Sequence, residues 1–244
     1  MPRSIRYLAA NGVTVDAAQE KDWGTLVAGA TGATKYWLQN DGDVALGAGF
    51  TLQLVDPLLN GGVGIFKHAL DTVTVRPPYG GAAVEGGAGG VFGATGTWYF
   101  VVTRSNASGK TQPSVEFSFA VADIAKKVNL SWTIPAGPAD TAVEVYATQT
   151  SGDYSGANIL IATLGAGATS YIWDGTAPSG GTIPVANTTA GAAPGYGTAP
   201  SLVVTDLLFA AVAVGEARAF WTGEVLPGSA ASVTYRVNEH PVEL

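Results

Sequence analysis

The stretch that decides the fold is "GTWYFVVTRSNASGKTQPSVEFSFAV", which runs from Gly96 to Val121. Its first part, Thr97–Thr103, is apolar on both alternating sets of positions, as in a central strand that is covered on both faces. Its last part, Val115–Val121, alternates large apolar residues with polar or small ones, as a half-buried strand does. Asn106–Gly109 lies between them and is rich in turn-forming residues. The stretch therefore predicts two strands joined around a glycine turn.

The same alternation recurs elsewhere in the chain. It predicts further strands at Val128–Ile134, Val143–Thr148, Tyr171–Trp173, Phe50–Leu54 and Ser232–Val237. Leu202–Val214 has the length of a helix, but its β-branched residues favour a buried strand. The 33 Gly and 13 Pro residues among 244 indicate many turns between short strands. Together these features predict an all-β protein.

Charge and composition restrict the partners. The chain has 12 basic and 19 acidic residues, a net charge of −7, so its surface repels phosphate and nucleic acid is not an expected partner. It has no Cys, so its stability must come from packing and strand pairing. The N-terminal stretch lacks a signal-peptide core, and the longest apolar run, Leu207–Val214, is too short to span a bilayer. We therefore expect that the protein does not insert into a membrane and that it assembles in the cytoplasm.

Two stretches are rich in Gly, Pro and Ala: Arg76–Gly90 and Gly175–Pro200. Both have the composition of linkers between folded segments. At 244 residues the chain is long enough for two modules of roughly 100 to 130 residues each. The sequence therefore predicts a central module set apart from the two ends of the chain.

The centre of the chain carries the first family resemblance. Its four segments are "GTWYFVVTRSNASGKTQPS" (Gly96–Ser114), "VNLSWTIP" (Val128–Pro135), "AVEVYAT" (Ala142–Thr148) and "TSYIWDG" (Thr169–Gly175). This pattern resembles a fibronectin type III-like module of the kind that recurs in bacteriophage virion proteins. In that family the segment ending in Asn-x-x-Gly follows the Leu-x-Trp strand, whereas here Asn106–Gly109 precedes it. The order is like that of a circular permutation, which a sandwich tolerates when its ends lie close together.

The two ends of the chain carry a second resemblance. "DWGTLVAGATGATKYWLQNDGDVAL" (Asp22–Leu46) and "VLPGSAASVTYRVN" (Val225–Asn238) are similar to the opening and closing patterns of the abnormal-spindle/hydin type of immunoglobulin-like sandwich. This resemblance implies a discontinuous sandwich made of residues 1–75 and 200–244, with a fibronectin III-like sandwich, residues 76–199, inserted in it. The alternative is a pair of consecutive sandwiches with a boundary near Pro135.

No motif of the chain predicts a catalytic, cofactor-binding or metal-binding residue. His68 and His240 have no neighbour at metal-ligand spacing, whereas a zinc site needs three or four ligands. The segment Asn40–Asp43 looks like part of a calcium loop, but a hairpin turn explains it more simply. The glycine clusters lack the Lys-Ser/Thr of a phosphate-binding loop, and no Gly-x-Ser-x-Gly elbow occurs.

Paired catalytic carboxylates stay open as a possibility because distant strands can supply them. Four acidic residues are expected at turns or outward strand positions, where solvation is their default state: Glu116, Glu144, Asp153 and Asp174.

The aromatic residues divide into two groups. Three tryptophans are in register with apolar neighbours and are predicted to be core residues: Trp98, Trp132 and Trp173. Three tyrosines next to Gly or Ser in predicted loops are candidate contacts for a partner or a glycan: Tyr79, Tyr154 and Tyr196. The alternative for these tyrosines is that they lie flat on their own domain.

The resemblances imply a non-enzymatic structural component of a tailed-bacteriophage particle, associated with the tail, baseplate or fibre. Its partners would be other virion proteins and copies of itself, and it would reside in the virion after assembly in the host cytoplasm. The alternatives are a carbohydrate- or receptor-binding module that contacts a host surface glycan, a capsid decoration protein, and a bacterial adhesin module.

Overall fold

The structure is a computed structural model. It describes residues 5–8, 21–26, 31–40, 45, 50–54, 65–71, 74–189, 203–204, 207–209, 211–225, 233–237 and 239–242, with side chains in residues 35, 37–40, 45, 71, 74–189 and 211–221. The regular structure of this part consists of strands, and it contains no helix. The predicted all-β class is therefore confirmed.

The described residues form eighteen strands. They are β1 (Ile5–Leu8), β2 (Lys21–Leu26), β3 (Thr31–Asn40), β4 (Phe50–Leu54), β5 (Ile65–Leu70), β6 (Tyr79–Ala88), β7 (Gly96–Asn106), β8 (Gly109–Lys110), β9 (Phe117–Val121), β10 (Lys126–Thr133), β11 (Ala142–Thr148), β12 (Leu160–Gly165), β13 (Ser170–Trp173), β14 (Val203–Val204), β15 (Leu207–Phe209), β16 (Ala217–Val225), β17 (Val233–Val237) and β18 (Glu239–Val242).

The chain divides into two compact units. The outer unit comprises Met1–Thr72 and Gly191–Leu244, and the central unit comprises Val73–Ala190. The interpretation of these units as two sandwich domains, one inserted in the other, stays a prediction.

Strands from both ends of the chain pair within the outer unit. A five-stranded sheet has the order β1-β3-β16-β5-β14, a three-stranded sheet has the order β15-β4-β18, and β17 pairs with β2. The longest ladder joins β16 to β3, from Ala217 opposite Gln39 to Val225 opposite Thr31. Strands β4 and β17 confirm the predictions near the two ends, and β14 and β15 confirm strand structure within Leu202–Val214.

A buried cation lies next to the core of the outer unit. The Nζ atom of Lys35 is 2.6 Å from a carboxylate oxygen of Asp71, and both side chains are almost fully buried. The same Nζ atom lies 5.4 Å from the ring centroid of Trp37 and 5.5 Å from that of Trp221. The carboxylate and the two aromatic faces compensate the lost hydration of the ammonium group.

Three predictions fall outside what the structure describes in the outer unit. The backbone places His68 in β5 and His240 in β18, but their side chains lie outside the described residues. The predicted turn at Asn40–Asp43 is described only at Asn40, whose Nδ2 donates to the carbonyl of Val212.

The central unit has two sheets. One has the order β13-β10-β6, and the other has the order β12-β11-β7-β8, with β9 also paired to β7. Both sheets contribute to one hydrophobic cluster, which includes Phe92, Phe100, Val102, Val121, Val128, Leu130, Trp132, Val143, Val145, Ala147 and Trp173. The prediction that Trp132 and Trp173 are core residues is confirmed, at 5% and 1% exposure.

Strand β7 is covered on both faces, as its sequence predicts. Phe100 and Val102 belong to the main cluster. Val101 belongs to a second cluster that contains Tyr146, Tyr154 and Ile159. Successive strand residues point to opposite faces, so β7 lies between these two clusters. This explains why both alternating sets of its residues are apolar.

The interpretation of Arg76–Gly90 as a linker is wrong, because Tyr79–Ala88 forms β6 and pairs with β10. A Cβ atom at Gly81 would lie 2.2 Å from Cδ1 of Phe117, so glycine is needed here for close packing. The described part of Gly175–Pro200 is also tied to the unit. The carbonyl of Gly180 accepts hydrogen bonds from the amides of Ile159 and Leu160.

The two ends of the central unit are joined by hydrogen bonds, which we call the end clamp (Val75, Gln112, Asn187 and Thr189). The amide of Val75 donates to Oγ1 of Thr189 at 3.0 Å. The Nδ2 atom of Asn187 donates to the carbonyl of Val75 at 2.9 Å and to Oε1 of Gln112 at 2.7 Å. All four residues are buried, so these hydrogen bonds are protected from competition by water.

A buried ion pair holds the connection between β10 and β11. The Nε atom of Arg104 lies 3.0 Å from Oδ2 of Asp140, and both side chains are about 95% buried. The other Asp140 oxygen accepts from the amide of Gly167, and the Arg104 guanidinium also donates to the carbonyls of Arg76 and Pro138. One charged pair therefore ties β7 to three separate loops.

The close packing of β6 is tested by a pair of glycine substitutions. Gly81→Ala should lower the free energy of unfolding by about 1–3 kcal/mol, because its methyl group overlaps the Phe117 ring, which itself packs against Phe100. Gly87→Ala, in the same strand with nothing within 4 Å of its Cβ position, should change it by less than about 0.5 kcal/mol. Urea unfolding followed by tryptophan fluorescence measures both. Equal effects of the two substitutions would contradict this packing.

Candidate functional site

The three candidate contact tyrosines do not form one platform. Tyr79 is the first residue of β6 and is half-buried. Tyr154 packs against the other sheet of the central unit and is only 7% exposed. Tyr196 lies outside the described residues. The ring of Tyr154 is too deeply buried to contact a partner. Contact through Tyr79 and Tyr196 stays a prediction.

Tyr154 anchors the loop in which it lies. Its hydroxyl donates to Oε2 of Glu116 at 3.0 Å. The same carboxylate accepts from the amide of Gly152 at 2.9 Å and from the hydroxyl of Ser151 at 2.6 Å. The expectation of a merely solvated Glu116 is therefore wrong, because this carboxylate receives three hydrogen bonds from residues 151–154 and holds the loop in place.

Glu144 also departs from the expectation of a solvated carboxylate. It forms a 2.7 Å ion pair with Nζ of Lys110, and it accepts a 2.6 Å hydrogen bond from the hydroxyl of Tyr146. By contrast, Asp153 and Asp174 lie at turns, where each accepts hydrogen bonds from residues two positions later. Two of the four acidic residues thus bridge distant segments.

Burial raises the pKa of both Tyr146 and Tyr154 well above the ordinary tyrosine value. For Tyr154 the neighbouring charge of Glu116 raises the pKa further. For Tyr146 the hydrogen bond to Glu144 and its charge add to the burial. Both hydroxyls therefore stay protonated, as donors to carboxylates, throughout the neutral range.

A cleft of about 370 Å³ opens between β7, the end of β11 and the loop that Glu116 holds. We call it the loop cleft. Its floor consists of buried or half-buried residues: Trp98, Ala147, Thr148, Ile159 and Pro178. Its rim consists of exposed residues: Gln149, Thr150, Asp153, Ser155, Gly156 and Asn158. The lining is more polar than that of most small-molecule sites, with Trp98, Ala147, Ile159 and Pro178 as its apolar part, so the cleft suits a ligand rich in hydrogen-bonding groups.

The rim offers both donors and acceptors of hydrogen bonds. Asp153 is the one charged residue among those that line the cleft. Hydrogen bonds from the hydroxyl and the amide of Ser155 lower its pKa and engage Oδ1, which leaves Oδ2 to accept from a ligand. Asn158 accepts from the amide of Gly180 through Oδ1, so its Nδ2 group can donate.

Trp98 differs from the other two tryptophans that the sequence places in the core. It packs edge-on against Trp173, with 4.8 Å between ring centroids, but it is only half-buried. It is the first residue of β7 whose side chain reaches the main cluster, so it lies at the end of the sheet, where its neighbours cover only part of the ring. The exposed part of the indole belongs to the floor of the loop cleft.

In the part of the chain that the structure describes, no three His, Asp or Glu side chains lie closely enough together to hold a metal ion. Nor does this part contain a helix of the length and hydropathy required to cross a membrane.

Comparison with known proteins gives no match: no family model, no curated protein and no solved structure is similar to this chain. The two family resemblances therefore rest on the quoted sequence segments alone.

The buried tyrosines predict a loss of stability at alkaline pH. The unfolded state releases the Tyr146 and Tyr154 protons near pH 10, the ordinary tyrosine value, whereas the folded state keeps them, so the unfolded state is favoured as pH rises above 10. We expect the free energy of unfolding to fall between about pH 9 and pH 11. The fall should be shallower in a Tyr146→Phe, Tyr154→Phe double variant, at a cost of about 1 kcal/mol per lost hydrogen bond at pH 7.

Urea unfolding across this pH range measures the slope, and absorbance at the phenolate band reports which state has ionised. If all nine tyrosines of the folded protein ionised near pH 10, the assignment of two protected hydroxyls would be excluded.

Proposed function

We propose that this protein is a non-enzymatic structural component of a tailed-bacteriophage particle, associated with the tail, baseplate or fibre. In this proposal the central unit is a fibronectin III-like sandwich inserted in an immunoglobulin-like sandwich. The support consists of the quoted resemblance to virion modules together with the all-β structure and the two central sheets that share one aromatic cluster.

The sequence resemblance supports the place in the virion, and the end clamp is the structural observation that supports the inserted arrangement. Val75 and Thr189 are 114 positions apart and are joined by a hydrogen bond. A module whose first and last residues meet can be inserted in a loop of another domain without separating the strands on either side. Such an arrangement suits a particle protein in which one domain docks and the other contacts a further partner.

The partners in this proposal are other virion proteins and copies of the same chain. Strands β6 and β13 are the edges of the three-stranded sheet, and β12 is an edge of the other sheet. Val84 on β6 and Ile172 on β13 lie opposite the same residue of β10, Asn129, and are 56% and 60% exposed. Edge strands and exposed apolar residues of this kind are surfaces that β-proteins use for docking.

The proposal is tested on purified particles. We expect mass spectrometry to find the protein in density-gradient-purified virions at a fixed ratio to the major capsid protein, and antibodies against it to label the particles in electron micrographs. Particles from a phage in which the gene is deleted are the matched control and should lose both signals. Recovery of the protein only in the bacterial envelope or the culture medium would favour the adhesin alternative and reject the virion.

Carbohydrate or receptor binding is the second candidate function, and the loop cleft is the observation that favours it. This function is compatible with a place in the virion, where a surface module would contact a host glycan, or with a capsid decoration protein. It differs from the first proposal in what it requires, namely a measurable affinity for a small ligand.

A further inference from the structure

We propose that the loop cleft binds a neutral saccharide, with Trp98 as the stacking surface and Asp153 and Asn158 as hydrogen-bonding partners. This inference gives the second candidate function a site, and it is independent of whether the protein belongs to a particle. In this proposal the aromatic contact is Trp98, which the sequence predicts to be a core residue, rather than one of the loop tyrosines.

The size of the cleft suits a small ligand. Its volume of about 370 Å³ lies near the lower end of the range of small-molecule sites, roughly 300–1,000 Å³. A monosaccharide or disaccharide has these dimensions. The apolar residues Trp98 and Pro178 can pack against the C–H groups on one face of a sugar ring. The polar residues of the rim can form hydrogen bonds with its hydroxyls.

The hydrogen-bonding groups match sugar hydroxyls, each of which both donates and accepts. Oδ2 of Asp153 can accept, Nδ2 of Asn158 can donate, and the amide of Gln149 can do both. The exposed Asp153 carboxylate is ionised at neutral pH, so it provides a charge-assisted acceptor beside the hydrogen bonds that it receives from Ser155.

Charge argues against other ligand classes. The single charge of the lining is negative and the chain carries a net charge of −7, so phosphorylated or carboxylated ligands are repelled. A quaternary ammonium ligand is the stronger competitor, since it would be attracted to Asp153 and to the indole. Recognition of such a cation uses a cage of several aromatic faces, however, and the lining contains one aromatic residue, Trp98.

The rim is fixed in place before a ligand arrives. Glu116 holds Ser151, Gly152 and Tyr154 from one side of the loop. On the other side, the amide of Gly180 holds the side chain of Asn158. A site held in this way loses little conformational entropy on binding, which favours a measurable affinity even for a small ligand.

The experiment titrates the full-length protein with glucose, galactose, N-acetylglucosamine, maltose, lactose and cellobiose, and follows the NMR signals of the Trp98 indole and the Asn158 side-chain amide. We expect at least one sugar to give saturable shifts, with a Kd of about 1 mM. Asp153→Asn, at an exposed position, should weaken binding about tenfold, the loss that follows from one charge-assisted hydrogen bond. Asn158→Ala, also at an exposed position, should weaken it about fivefold, the loss that follows from one neutral hydrogen bond.

Asp123→Asn is the matched control. Asp123 is also an exposed carboxylate that accepts from the amide two residues later, but it is not among the residues that line the cleft. Its substitution should leave sugar binding unchanged, and unchanged unfolding curves of all three variants exclude a general loss of structure.

Several outcomes would overturn the inference: no saturable shift with any of the six sugars, equal affinity in the cleft variants and the control, or tighter binding of choline or glucose 6-phosphate than of every neutral sugar. None of these outcomes bears on whether the protein is found in purified particles, so the two proposals fail separately.

Discussion

The packing around the Trp173 indole is the interaction on which the central unit depends. Its ring meets Phe92, Trp98 and Phe100 edge-on, with centroids 4.9, 4.8 and 5.8 Å away. Trp173 comes from the three-stranded sheet, and two of these partners come from β7 of the other sheet. Edge-to-face contacts fix the relative orientation of rings more strictly than aliphatic packing does. The Trp173 indole therefore joins the two sheets and sets the position of Trp98 in the floor of the loop cleft.

Buried and half-buried polar groups hold the loops in place, as the packed aromatic rings hold the two sheets together. Arg104 with Asp140 and Glu116 with Tyr154 each connect a strand or its flank to a loop more than 30 residues away. In a chain without Cys, such buried or half-buried hydrogen bonds are the available means of fixing long connections. They also explain why an exposed rim can be rigid enough to act as a site.

The sequence predicts the strands with clear alternation, because period-two patterning follows directly from the two faces of a sheet. The sequence does not reveal β6. Its glycines suggest a flexible linker, whereas in the structure Gly81 allows close packing against Phe117. The sequence also misses β12, an edge strand whose half-buried residues do not alternate clearly. The loop cleft was not predictable, because its lining residues come from segments around residues 98, 150 and 178, which lie close together only in the folded chain. For the same reason the burial of Tyr154, a loop residue in the sequence, was not predictable: its ring packs against Val101 and Tyr146, which are distant in the sequence.

The end clamp also determines how the central unit responds to mechanical force. Tension applied through the chain on either side of this unit enters at Val75 and leaves near Thr189, which are directly hydrogen-bonded. The clamp lies on the shortest path for that tension, so its hydrogen bonds are loaded before the strands of the two sheets are pulled apart. Extension of the chain across this unit therefore begins with the rupture of a few buried hydrogen bonds rather than with the separation of strands.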